Sequence, residues 1–387
     1  MYTRRISFNE KMYLAIDQLD PGLCIQIVLE GEGELDYDDL KSAVLAATVV
    51  NPGARLIATG ALGWMTWSAS GPQPAVRCIN DWGKGDAPLD LERSLSPKDG
   101  PTCEVIYAPG AITRVVFRCF HGVMDARGLL HFAEDVFRSL RGEALVGSDY
   151  ALMDAELVES LVGYRTRAPL KAKWRPVCGV KSRRRGVIIA RQMSCLGPCP
   201  GLVARIASAL SSYATQHQNL PIRAMIPVDL RNYRRDLHAT GNLTYPLFLD
   251  VETHQDWRRI HRKMLKQLGA KAPLSLDPSE RFARWMPLWA LKLFYRGWTA
   301  RHRRLGLYPL SALISHVSLD TLAPLEGGGF TRRTAYFLPH RGDELPLVIS
   351  AVSDQENAHI QLSGPDSLLS GEALDELCAA ITREIDN

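Results

Sequence analysis

The chain has 387 residues, 46% hydrophobic and 23% charged, the balance of an ordinary globular protein with room for two domains and a large core. Its formal charge of +4 is too small to argue for nucleic acid, and no module for reading one is recognisable. No apolar run approaches the ~20 residues that span a bilayer, and the amino terminus lacks the unbroken apolar stretch of a signal peptide, so a cytoplasmic protein is expected.

In chain order, "CIQIVLEGEGELDYDDLKSAVLAATVVNP" reads as a strand, a Gly-containing turn and an amphipathic helix with Leu40, Val44 and Ala47 at helical spacing. "ARLIATG" and "WMTWSAS" read as short strands. "AITRVVFRCFH" is a strand rich in β-branched and aromatic residues, broken at "GVMDARG". A helix follows, with Leu129, Phe132, Val136, Phe137 and Leu140 on one face. Residues 165 to 186 are basic, contain Pro and Gly and lack apolar periodicity, as a linker between two halves would. Beyond it come a strand "VIIARQMSC", a helix "GLVARIASALSSYATQHQ", strands "IRAMIPVDLR" and "TYPLFLDV", and a long helical region from Trp257. Four further strands, "LISHVSL", "TAYFLP", "LPLVISAVS" and "HIQLSG", precede a closing helix that begins at a serine cap with early acids. The fold class is mixed α/β, divided into residues 1–164, a linker 165–186, and residues 187–387. The eight cysteines are scattered. Cys195 and Cys199, the close pair, have no second Cys or His cluster to complete a zinc site, so neither a metal nor a disulfide framework is expected.

A histidine stands four residues before an aspartate three times: His121 and Asp125, His131 and Asp135, His316 and Asp320. The second pair lies inside a helix, where such residues are ordinary neighbours. The third runs along a strand, where they share a face but lie apart. The first differs in context, because His121 ends a strand and a helix begins just after Asp125. Gly122 and Gly128 are expected to let this loop turn tightly. A neutral imidazole there could take a proton from a hydroxyl, amine or thiol near pH 7. A loop histidine that only caps or packs is the alternative. If Asp125 is buried it needs a cationic or hydrogen-bonding partner.

"MIPVDLRNYRRDLHATGNLTYPLFLDV", residues 225 to 251, places Arg231 straight after a strand and Gly241-Asn242 a short loop later. With the His-x-x-x-Asp segment, this resembles the chloramphenicol acetyltransferase-like superfamily. That superfamily includes condensation domains of nonribosomal peptide synthetases, BAHD and polyketide-associated acyltransferases and wax ester synthases. The order of elements matches over nearly the whole chain. The resemblance implies two chloramphenicol acetyltransferase-like subdomains in a V, with a tunnel at their interface that reaches His121 from both faces.

By the same resemblance His121 would be the general base. It would deprotonate an acceptor that attacks a thioester directly, with no covalent acyl-enzyme; the absence of a Gly-x-Ser-x-Gly elbow agrees. Asp125 would orient the loop through a salt bridge to Arg231. Gly122, Asn242 and Ser315 are the candidate substrate-binding residues, Asn242 either lining the site or holding the strand crossover. Three positions depart from the pattern: Phe120 stands where many relatives have a first histidine, Ala126 replaces a glycine, and "SHVS" (315 to 318) stands where Ser-Asn-x-Gly is common.

No adenylation or carrier segment is recognisable. A free-standing acyltransferase acting on a hydroxyl is therefore expected, with no bound cofactor and an acyl-CoA or carrier-protein thioester as donor. Amide formation on an amine and a non-catalytic binding protein of the same fold are the alternatives. Between Arg281 and Tyr308 there are seven Arg or Lys residues and no acid, interleaved with Trp285, Leu288, Trp289, Leu291, Tyr295 and Trp298. Such a segment could meet a membrane surface, a lipid-like acceptor or an acidic carrier protein, or simply pack on its own domain with arginine stems over apolar surface. The linker carries nine Arg or Lys between Arg165 and Ala190 and no acid. A solvated face is its plain reading, and carrier or phosphate docking the other.

Overall fold

The structure is a computed structural model that describes every residue except 1, 81, 84–86, 149, 219 and 340 and the side chains of 89, 90 and 281. After strand β1 (Thr3–Arg5), helix α1 (Phe8–Asp17) starts at a capping box: the Ser7 hydroxyl accepts from the Glu10 N–H, and the Glu10 carboxylate from the Ser7 N–H. Strand β2 (Cys24–Glu32) leads to α2 (Tyr37–Val50), whose first N–H groups donate to the Asp36 carboxylate. Strands β3 (Ile57–Thr59), β4 (Thr66–Ser68), β5 (Ala75–Cys78), β6 (Cys103–Ala108) and β7 (Thr113–Phe120) follow. Helices α3 (Ala126–Leu140) and α4 (Asp154–Val162) complete the first half.

The second half runs β8 (Ile188–Leu196), α5 (Leu202–Gln218), β9 (Ile222–Asp229), β10 (Thr244–Val251), α6 (Trp257–Gly269), α7 (Glu280–Ala283) and α8 (Leu288–Leu305). It ends with β11 (Ala312–Ser318), β12 (Thr331–Phe337), β13 (Val348–Ser353), β14 (Asn357–Pro365) and α9 (Gly371–Asp386). Pro287 separates α7 from α8, so the aromatic-basic region is two helices and a turn.

Each half is a sheet covered by helices. The first sheet has the order β12-β2-β7-β6-β5, antiparallel except for the parallel pair β5 and β6. Along β7, Val115, Phe117 and Cys119 join the core shared with α2 and α3, while Val116 joins a smaller cluster with Val28, Ile106 and Trp82. Arg114 and Arg118, which look misplaced in a buried strand, are buried with partners: Glu30 at 2.6 Å and Glu104 at 2.9 Å. The second sheet has the order β10-β9-β11-β13-β14-β8, with α5, α6 and α9 contributing to its core. A small antiparallel sheet, β1-β4-β3, completes the architecture.

The two halves exchange material. Strand β12 comes from the second half yet pairs along β2, Thr331 opposite Glu32 through Phe337 opposite Ile27. Leu319, Leu325 and Phe330 on the approach to it lie in the first half's core. The basic segment 165–186 is pinned at several points: Trp174 and Tyr308 exchange backbone hydrogen bonds, Val177 is buried in the second core, and Arg185 pairs with both Asp343 and Asp20.

Candidate active site

His121 follows β7 immediately and is half-buried, its backbone N–H donating to the Leu23 carbonyl. One face of its ring stacks on Tyr13 of α1, with centroids 4.3 Å apart and planes 16° from parallel. Its carbonyl accepts from the Asn242 side-chain amide at 2.9 Å. Asn242 also lies beside the Tyr13 phenol. One side chain from the second half thus holds the backbone under the imidazole.

Asp125 is the N-cap of α3. Its Oδ1 accepts from the Gly128 N–H at 2.7 Å. Oδ2 accepts from three groups of the second half: Arg231 at 3.1 Å, the Leu243 N–H at 2.7 Å and the Thr244 hydroxyl at 2.9 Å. Arg231 in turn donates to the carbonyls of Ala239 and Gly241 and to Asp229 at 2.7 Å. Burial alone would raise the Asp125 carboxyl, but Arg231 and the N–H donors outweigh it and hold the carboxyl below its ordinary value. Arg231 is likewise buried, yet its two carboxylate neighbours keep it firmly charged. The pair is a scaffold across the seam between the halves, with the carboxylate directed into the α3 N-terminus and the β10 strand start.

The other two His-x-x-x-Asp pairs serve local structure. His131 contacts the Gly147 carbonyl at 2.8 Å, while the buried Asp135 accepts from Asn51, Val146 and Gly147. His316 contacts the Ser353 hydroxyl at 2.8 Å, and Asp320 accepts from Ser318. Ser315 lies on β11 opposite Ser350 of β13 and has no described hydrogen bond to Asp125 or Arg231. Phe120 is fully buried against Trp67, a core position that a histidine could fill only at a desolvation cost.

The loop glycines are required for a different reason from the tight turn expected. Neither Gly122 nor Gly128 has a positive φ. A Cβ on Gly122 would lie 2.4 Å from the Phe120 ring, and one on Gly128 would lie 2.2 Å from the Thr240 carbonyl oxygen. Gly128 is where the second half's backbone lies directly on α3. We expect Gly128→Ala to destabilise the protein by about 1–3 kcal/mol, because the obstructing atoms are backbone and cannot rotate away. Urea unfolding of the two proteins measures it.

Tyr13 and Thr244 were not among the residues singled out from the sequence. Burial first, and then the charges of Asp125, Asp154 and Glu344, push the Tyr13 phenol well above its ordinary value, so it is a neutral hydroxyl at all working pH. Asp154, at the start of α4, accepts from the Asn9 amide at 2.8 Å and is pushed up to about 7 by burial and by the nearby Glu10 and Glu280. A carboxyl raised on folding adds stability that is complete below its ordinary 3.8 and lost as pH rises toward about 7. Thermal midpoints should therefore carry a falling contribution from this group between about pH 4 and about pH 7, one that Asp154→Asn removes.

Among the described residues no three His, Cys, Asp or Glu side chains gather as a metal site, and no helix is long and apolar enough to cross a membrane. Two described cavities, of about 320 Å³ beside α5 and α9 and about 260 Å³ beside α2, are lined by residues outside this cluster.

No protein-family model matches the chain, and no curated relative does. Solved structures do match. The starter condensation domain of the rhizomide synthetase RzmA, as a mutant in complex with C8-CoA and Leu-SNAC, superposes with a TM-score of 0.69 over 99% of this chain and 93% of that one, at 14% identity. The epimerization domain from the third module of tyrocidine synthetase B gives 0.63 over 99% and 96%, at 12% identity. The chain has a condensation-domain fold. In that fold the seam between the two chloramphenicol acetyltransferase-like subdomains is the place where His121, Asp125, Arg231 and Asn242 meet, so residues 106 and 121 positions apart in sequence are gathered by the architecture itself. The condensation-domain fold is the one the sequence resemblance implied.

Proposed function

We propose that this protein is an acyltransferase moving an acyl group, other than an aminoacyl group, from a thioester to a hydroxyl acceptor, with His121 as general base. The imidazole takes the acceptor's proton as its oxygen attacks the thioester carbonyl. The C–S bond then breaks, and the proton passes to the departing thiolate, giving an ester and a free thiol. Asp125 and Arg231 position the loop, Tyr13 stacks on the imidazole, and Asn242 holds the backbone under it. Gly122, whose missing side chain leaves room for the Phe120 ring, is a proposed substrate-binding position. Ser315 is the least supported of the proposed substrate-binding residues.

The observation that carries this reading is the half-buried imidazole at the seam, braced from both subdomains on a fold whose relative is seen with an acyl-CoA. That relative supports condensation-like acyl transfer and an acyl thioester as donor, free as acyl-CoA or delivered by a carrier protein. Octanoyl-CoA mixed with a series of alcohols and read by thiol release tests it. Thiol release that depends on the alcohol, with the ester found by mass spectrometry, supports the proposal; failure with both CoA and carrier donors overturns it. An amine acceptor is the second reading, favoured by the Leu-SNAC bound in the same relative. An amide product in the parallel amine series would select it.

A further inference from the structure

The segment from α7 to α8 leaves large apolar side chains uncovered: Phe282 is 77% exposed, Trp289 64%, Leu293 58% and Phe294 59%. Trp285, 43% exposed, packs edge-on against Trp64, itself 67% exposed, with centroids 5.4 Å apart, so the patch continues onto the first half. Isolated apolar residues on a surface need no explanation, but a group that includes three exposed tryptophans, two of them in contact, does.

This platform is fixed in place. The buried Lys11 ammonium donates to the carbonyls of Leu62, Arg284 and Met286, tying together the turns that present Trp64 and Trp285. On its inner side α8 packs against α1, with Leu291 fully buried, while Arg303 is paired with Asp343. Outside, Arg284, Arg296, Arg301 and Arg304 are exposed and have no ion pair among the described residues. With α8 at 3.6 residues per turn, Trp289 and Leu293 lie on one exposed strip that continues into Ala300 and Arg304, so the apolar end passes into a cationic one.

We propose that this face docks on an anionic lipid bilayer, α8 lying along the surface with Trp285, Trp289, Leu293 and Phe294 in the headgroup boundary and the arginines at lipid phosphates. Aromatic side chains with adjacent unpaired arginines, and no acid from 281 to 308, are complementary to such a surface in both polarity and charge. An acidic carrier protein would satisfy the arginines but leaves the tryptophans unexplained. The inference does not rest on the acyl-transfer reading. Its link to the site is that α8 packs on α1, the helix that carries Tyr13 against His121.

Co-sedimentation of the full chain with phosphatidylcholine vesicles, alone or mixed with phosphatidylglycerol, tests it. Binding should require the anionic lipid, weaken with salt, and fall at least about tenfold in Trp289→Ser/Phe294→Ser, whose folding circular dichroism checks. His121→Ala should bind as the unmodified protein does, which separates this test from that of the acyl-transfer reading. Equal sedimentation with and without anionic vesicles would overturn the proposal. So would patch-dependent dimerisation, or patch-dependent capture of an acidic carrier protein, without vesicle binding.

Discussion

His121→Ala should lower acyl-transfer turnover by about 10²–10⁴-fold while leaving the fold intact. That is the usual contribution of a positioned general base. The ring is half-buried, so its removal opens less space than truncating a core side chain would. The informative comparison is between thermal midpoint, which should barely move, and the rate of thiol release, which should collapse. Dissociation of the acyl donor should change little, since the imidazole acts on the acceptor's proton. A variant that keeps full turnover would remove His121 from the mechanism.

Asp125→Asn has the largest expected effect on stability. It leaves Arg231, buried with its remaining carboxylate partner Asp229, facing a neutral amide in place of a charge. Breaking one side of a buried ion pair costs about 3–5 kcal/mol, and the continued presence of Asp229 points to the lower end. Asp125→Asn combined with Arg231→Gln should cost less than the two single changes added together, since both remove the same interaction. The pH dependence has a definite sign. The Asp125 carboxyl is lowered on folding, so its contribution is present above the ordinary 3.8 and is lost as pH falls below it. Acid unfolding should therefore erode the unmodified protein more than Asp125→Asn in that window. Turnover should fall in the variant as well, because the loop between β7 and α3 loses its hold on the second half.

Much of the architecture was legible in the residue pattern. The strands β2–β4 and β7–β14 and the helices α2, α3 and α5 announce themselves by their apolar pattern and α9 by its serine cap, and the structure places them there. Strands β1, β5 and β6 and helix α4 do not stand out in the sequence. Nor does helix α1. Its buried positions include Glu10, Lys11 and Asp17, so the apolar stripe that marks a helix is broken by charges whose partners lie elsewhere in the chain. The Ser7-x-x-Glu10 capping box was the available signal, and it would have brought Tyr13 into view. Thr244 was hidden differently: nothing local marks a threonine whose hydroxyl meets a carboxylate 119 positions earlier. The loop glycines were noticed but for a different reason, because the approach of Thr240 to α3 is a contact between halves that no local turn rule contains.

The placement of β12 has a consequence for how this gene product can be cut and recombined. A piece ending at the basic segment would present β2 as a long, bare hydrogen-bonding edge, prone to pairing with other copies. The complementary piece would carry Leu319, Leu325 and Phe330 with nothing to bury them. Grafting either half onto a foreign partner therefore means transplanting residues 319–337 along with the amino-terminal lobe, and reversible melting of the intact protein should show one transition instead of two.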